Sequence, residues 1–137
     1  MNKQIFPSTI PTKPEVQAEP VSIVLGDDGR IRECNAVCES LFGYPQVELL
    51  GQHISLLFPH LESVPLVRSS EVNPRLKFLS HCAIPFLSIQ RNGKRFASEL
   101  FFNYLSIPNG GLRLIARKLE NVKTDFLTNG QPLLQAC

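Results

Sequence analysis

The chain has 137 residues, 43% of them hydrophobic, and a formal net charge of +2. That length suits one domain, able to bury about 68% of its unfolded surface without disulfide or metal staples, and the composition excludes bulk disorder. The charge excess is small and its densest run, Arg113, Arg117, Lys118 and Lys123, is interrupted by Glu120, which excludes the clustered basic footprint of a nucleic-acid binder. Residues 1–20 contain Pro7, Pro11, Pro14 and Pro20. Proline removes backbone donors and blocks regular pairing, so this stretch reads as an extended arm.

Val21 to Leu25 is expected to form a first strand, and Gly26-Asp27-Asp28-Gly29 is dense in hairpin-turn residues. Arg30 to Cys34 returns as a second strand. Asn35 then suits a helix N-cap, with Val37, Cys38 and Leu41 on one helical face and Gly43 placed to end the helix in the left-handed region. Pro45 opens a second short helix that Glu48 supports near its start and Gly51 ends. Ile54 to Phe58 is a third, closed by Pro59.

Residues 60–73 read as a loop. Pro74 to Cys82 is expected to be helical, with Leu76, Leu79 and Phe78 on its apolar face. The period then changes to two. Ile84, Phe86 and Ser88 alternate with Pro85, Leu87 and Ile89 along a third strand. Asn92-Gly93 makes a hairpin turn. Phe96, Ser98, Leu100, Phe102 and Tyr104 share one face of a fourth strand. After Asn109-Gly110-Gly111, Leu112, Leu114 and Ala116 share one face of a fifth. Residues 121–137 read as a tail, broken by Asn129-Gly130 and Pro132, with Leu133-Leu134 as its one apolar point.

The cysteines are Cys34, Cys38, Cys82 and Cys137. Cys34 and Cys38 give a C-x3-C spacing that fits no zinc pattern with His53, His60 or His81, so they read as small buried thiols. No Ser-His-Asp order, G-x-S-x-G or P-loop supports catalysis, and adjacent Asp27-Asp28 diverge in a tight turn. The chain is not expected to be an enzyme. It contains no apolar run of about 18 residues to span a membrane, and Met1 to Val16 lacks the apolar core of a signal peptide. The expected location is the cytoplasm.

The order of these signals resembles a PAS domain (the sensory-box family). Asp28-Gly29, Ile31, Asn35, Leu41, Gly43-Tyr44, Glu48-Leu49 and Gly51 fall at the family's spacing, and Arg91-Asn92-Gly93 ahead of Phe96, Glu99 and Leu100 matches its second half. The resemblance covers residues 21–120, leaving 1–20 as arm and 121–137 as tail. It implies an α+β fold: a five-stranded antiparallel sheet in order 2-1-5-4-3 with short helices packed on one face. Pro85 agrees with it, because that order puts the third strand at an edge, where proline is tolerated.

What the resemblance implies about function is sensing or partner binding in signal transduction. By parity the inner sheet positions are Ile84, Phe86, Ser98, Leu100, Phe102, Leu112 and Leu114, with Leu41, Phe42, Leu57 and Phe78 closing over them. These residues either line an apolar pocket, with Ser98 or Ser88 as its polar handle, or fill the core outright. The cofactor stays unknown. For haem, His60 and His81 are weak axial-ligand candidates, and Ile84 stands where oxygen-sensing members carry an arginine. FAD would have phenylalanine but no tryptophan to stack on, and the covalent flavin motif is absent. On the outer face Leu87, Ile89, Phe101, Leu105 and Ile115 form an apolar set that suits homodimerisation, or cover by Ile5, Phe6 and Ile10 of the arm. A ligand-free dimerisation or interaction module is the alternative to a ligand sensor.

Overall fold

The computed structural model describes residues 19–106, 110–120, 122 and 124. Arm residues Ile5, Phe6 and Ile10 and tail residues Leu133 and Leu134 lie outside that set. Strands β1 (Val21–Leu25) and β2 (Ile31–Cys34) form the first hairpin. Its turn is closed by Gly29 N–H donating to the Gly26 carbonyl at 2.9 Å. Gly29 has φ +82°, and a Cβ there would lie 2.7 Å from Nε2 of His53, so only glycine fits.

Helix α1 (Ala36–Phe42) begins at Asn35, as its sequence signal predicts. The Asn35 Oδ1 accepts from the Cys38 N–H at 3.3 Å and from the Ser22 N–H at 3.1 Å, while Nδ2 donates to the Pro20 carbonyl at 3.0 Å. One side chain therefore caps the helix and holds β1. Gly43 ends α1 at φ 83°. The carbonyls of the last turn, which a helix cannot satisfy itself, receive Gln90 Nε2 at Leu41 (2.9 Å) and Arg91 N–H at Phe42 (2.8 Å).

Helix α2 (Gln46–Leu49) follows, with Pro45 as its cap rather than its first residue. Two 3₁₀ turns, Ile54–Leu56 and Pro59–Leu61, replace the single helix expected over 54–58. Pro59 opens the second turn instead of closing the first, since its fixed φ suits a helical first position. Residues 60–73 also depart from a plain loop. They hold a small hairpin of β3 (Val67–Arg68) and β4 (Glu71–Val72), turned by Ser69 and Ser70 at φ 55° and 60°. Strands of two residues carry no readable alternation, and a Ser-Ser turn lacks the Asn-Gly signature of its geometry. Buried Asn73 anchors this segment, donating from Nδ2 to the Pro65 carbonyl at 2.6 Å and accepting at Oδ1 from Arg75 N–H at 3.1 Å.

Asn73 thereby caps α3 (Pro74–His81). Leu76 and Leu79 face the core, but Phe78 is 55% exposed. Three-residue spacing puts Leu76 and Leu79 on one side, and Phe78 falls on the other. The third long strand is shorter than the expected Ile84–Ile89: β5 spans Phe86–Ile89, and the chain reaches it through Ala83 at φ 57°. β6 (Arg95–Tyr104) and β7 (Leu112–Leu119) complete the sheet. Its order is β2-β1-β7-β6-β5 with antiparallel pairs throughout, the 2-1-5-4-3 arrangement expected of the five long strands. Gly111 is required at the β6–β7 turn, because a Cβ there would collide with the Leu25 carbonyl oxygen.

One core fills the space between the inner sheet face and the helices. Ile23, Leu25, Leu112 and Leu114 from the sheet meet Cys38, Phe42, Ile54, Leu57, Phe58, Leu76 and Leu79 from the other layer. Each buried Leu, Ile or Phe contributes about 1.5–3 kcal/mol. Phe42 sits at the centre, edge-on to Phe58 and tilted against Phe96, both with ring centroids 5.5 Å away.

Two stability changes follow from this geometry. Replacing Ser69-Ser70 by Asn-Gly should raise unfolding free energy by about 1 kcal/mol in urea titrations, since both positions already hold positive φ. Asn35→Ala should cost about 2–3 kcal/mol in the same assay, more than the ~1 kcal/mol of a helix cap alone, because the bonds to β1 are lost as well.

Candidate functional site

The inner sheet face brings together most of the positions expected to line a pocket. Phe86, Ser98, Leu100, Phe102, Leu112 and Leu114 are all buried in the one core. The register confirms their shared facing: Phe86 pairs with Ser98, and Phe102 pairs with Leu114. Ile84 lies outside β5 and packs only partly buried against the core. Phe78 does not join them; it points to solvent on α3.

The two polar handles meet each other. Ser88 donates from Oγ to Oγ of Ser98 at 2.7 Å, and both residues are buried. Adjacent hairpin strands place them diagonally on one face, where side chains are within reach. A buried hydroxyl without a partner costs about 1–3 kcal/mol, so each serine satisfies the other inside an apolar surround. Phe96, above them on β6, carries the Lys118 ammonium 5.4 Å from its ring centroid. Such a cation over a ring is worth roughly 0.5–1 kcal/mol at an exposed site.

Among the described residues, four open clefts lie around this core. One of about 600 Å³ sits between α1 and the ends of β1 and β7, with Val21, Val37, Leu41 and Ala116 as its apolar walls. Another, of about 380 Å³, runs between α3 and β6 past His81, Phe101 and Phe102. Two more flank the first hairpin turn and the β5–β6 turn. Phe86, Ser98, Leu100, Leu112 and Leu114 line none of these four.

The two histidines weighed as haem ligands are not brought together at the inner face. His81 is exposed at the end of α3, and His60 lies half-buried in the second 3₁₀ turn. Among the described residues no group of three or more His, Cys, Asp or Glu is arranged to hold a metal ion. None of their helices is long and apolar enough to cross a membrane.

On the outer face, Phe101 is 39% exposed and pairs with half-buried Ile115. Leu105 and Ile89 are half-buried. Leu87 departs from the expectation of an exposed strip, at 4% exposure. With Ala97 it forms a second, small core that Ile89, Leu119 and Val122 cover. Val122 is the residue the sequence reading missed. It lies beyond the alternating pattern of β7, and only its spacing of three from Leu119 signalled a further apolar contact.

Around the β2–α1 corner, burial pushes the Cys34 thiol upward, a hydrogen bond from Cys38 opposes this, and the charge of Glu39 adds to it. Burial is also the main cause of a larger upward push on Cys38. Arg91 forms an ion pair with Glu48 at 3.1 Å and lies over the Tyr44 ring. That pair is exposed and pins the β5–β6 turn only weakly.

A PAS fold family model matches residues 16–75, which span β1 to the start of α3. Comparison with curated proteins finds no match. Among solved structures, the PAS domain of a two-component sensor histidine kinase is 13% identical, with TM-score 0.56 over 74% of this chain and 86% of that one. A PAS domain from Desulfitobacterium hafniense is 16% identical, with TM-score 0.55 over 74% and 94%. The PAS domain of a LuxR-family transcriptional regulator from Burkholderia thailandensis, in complex with ethanol, is 15% identical, with TM-score 0.54 over 74% and 90%. At these identities the likeness is one of fold, and it covers more of the chain than the matched segment. The strand order, the Asn35-capped helix and the matched segment agree: the described residues adopt a PAS fold.

Proposed function

We propose that this PAS domain is a non-catalytic regulatory module of cytoplasmic signal transduction that works through partner contacts on the outer face of its sheet. The observation that carries this reading is the closed inner face. Phe86, Leu100, Leu112 and Leu114 are each at most 1% exposed, and the two buried serines beside them, Ser88 and Ser98, are bonded to each other. A core satisfied in this way needs no ligand for its stability. The side chains left over for recognition are on the opposite face.

There, Phe101 and Ile115 sit directly opposite each other at mid-sheet, with half-buried Val24, Ile89 and Leu105 on the same face or at its margin. Aromatic anchors in such a position suit an interface. A second copy of the chain is the proposed partner. Leu87 takes no part, because Leu119 and Val122 already cover it. Sedimentation velocity should show a dimer whose weight falls to monomer in Phe101→Glu, with unfolding free energy within about 1 kcal/mol of wild type. A wild-type monomer at every concentration tested would remove the homodimer from the proposal.

One observation favours a second reading, a sensor of a small hydroxylic ligand. The Ser88–Ser98 pair is a polar point in an apolar interior, and the PAS domain from Burkholderia thailandensis was crystallised in complex with ethanol. A small alcohol entering beside the pair could exchange hydrogen bonds with it. The two readings separate in a double-mutant cycle. For a closed core, Ser98→Ala alone should cost about 1–3 kcal/mol by stranding Ser88, and adding Ser88→Ala should restore part of that loss. Ethanol titration followed by NMR should leave the amide shifts of Ser88, Ser98 and Leu100 in place. Saturable shifts at those three residues would establish the sensor instead.

A further inference from the structure

Strand β6 outruns its neighbour at the sheet edge. It spans Arg95–Tyr104, but β5 pairs with it only from Arg95 to Ser98, while β7 accompanies it from Ala97 to Tyr104. Two bonds show which way its main chain points. On the β7 side, Leu105 N–H donates to the Gly111 carbonyl at 2.8 Å; on the β5 side, Gln90 N–H donates to the Lys94 carbonyl at 2.8 Å. In an antiparallel ladder, successive residues of a central strand bond to opposite neighbours. Odd-numbered residues of β6 therefore bond toward β7. Leu100, Phe102 and Tyr104 direct their N–H and C=O groups to the side where, among the described residues, no strand continues the ladder. An edge of this kind needs cover or a partner.

Helix α3 stands beside that edge, and the cleft of about 380 Å³ lies between them. Lys77, Ser80 and His81 line it from α3 at spacings i, i+3 and i+4, which share one helical face. Lys77 is exposed and is the one fixed charge among the lining residues, which include no carboxylate. The Ser80 Oγ is buried and has no hydrogen-bond partner among the described residues. Buried hydroxyls are ordinarily paired, and one left unpaired is costly. Across from α3, Phe102 lines the cleft from the open edge of β6, and Phe101 adds an exposed ring. A cation, an unpaired hydroxyl and strand-edge main chain thus converge beside an aromatic surface, the make-up of a small-ligand site.

We propose that the α3–β6 cleft binds a small aromatic carboxylate. Its carboxylate accepts from the Lys77 ammonium, the Ser80 hydroxyl and the edge-facing Phe102 N–H, and its ring lies against Phe101. One negative charge answers the single lysine, which a phosphate would exceed. The donors come from a helix and a strand that are already held by the core, so the site needs only a turn of the Ser80 hydroxyl to be complete. This site is separate from the Ser88–Ser98 pair in the interior and does not rest on homodimerisation, although Phe101 borders both the cleft and the outer face.

The test titrates sodium benzoate into the isotope-labelled full chain at constant ionic strength, followed by NMR. The expected result is saturable shifts at the amides of Lys77, Ser80 and Phe102, with Ser88 and Ser98 unmoved. Benzyl alcohol, which lacks the charge, should give no saturable shift at these positions. Lys77→Gln should weaken benzoate binding about threefold to fivefold, the range of an exposed ion pair. Ser80→Ala should weaken it about tenfold while leaving the thermal midpoint of the free protein no lower than wild type, since it removes a hydroxyl that has no partner there. A merely structural serine would instead lower that midpoint and leave binding in place. The proposal is overturned if benzoate produces no saturable shift at Lys77, Ser80 and Phe102, or if both variants bind it as wild type does. It is equally overturned if inorganic phosphate saturates the same amides at lower concentration. A wild-type monomer that binds benzoate supports this site even as it removes the homodimer.

Discussion

The Asn35 side chain is the constraint on which the rest of the layout depends. It accepts from Ser22 and Cys38 and donates to Pro20, while its own backbone N–H bonds the Ser22 carbonyl. A net 0.5–1.5 kcal/mol per bond is modest, but all of these bonds converge on one short junction. They set where β1 begins, where β2 stops, and at what angle α1 leaves the sheet. α1 then delivers Phe42 to the centre of the core and presents its last carbonyls to Gln90 and Arg91. The first hairpin and the β5–β6 turn, far apart in sequence, are thereby held by the two ends of a single short helix.

With α1 fixed, the interior has little freedom. Phe42 packs against Phe58 from the 3₁₀ segment and Phe96 from β6, so the helical layer and the sheet close on each other through aromatic rings. The inner-face leucines fill what remains, and the serine pair removes the polar cost of its own presence. An interior packed to native density resists insertion, because any added group must displace side chains from their rotamers. On the proposed function, a change of state is transmitted by a contact at the surface rather than by a guest in the core.

The outer face divides into two parts with different physics. Near β5, Leu119 and Val122 cover Leu87 and Ala97, so the chain leaving β7 stays attached to the sheet it completes. At mid-sheet, Phe101 and Ile115 have no such cover among the described residues. Leu119 and Val122 thus lie on the same face of the sheet as Phe101 and Ile115. A contact at one pair is physically close to the other.

Much of the fold was legible because its signals are local. Asp28-Gly29 and Asn92-Gly93 fix their turns by backbone conformation, Asn35 and Gly43 bound a helix by capping, and the alternation from Phe96 to Tyr104 sets which face is buried. None of these needs a distant partner to be recognised. The small hairpin at 67–72 was not legible, because two-residue strands show no period and its Ser-Ser turn takes positive φ without the Asn-Gly signature of that geometry. Phe78 was misplaced because a short helix has room for two adjacent apolar faces, and packing against β6 selected Leu76 and Leu79. Alternation identified the inner-face residues without revealing whether they enclose space or fill it. The sequence by itself determined the five long strands, their turns and the fold family they resemble. Only the tertiary structure decided that the serines pair and that Val122 covers Leu87, since each depends on residues that the chain must fold to bring into contact.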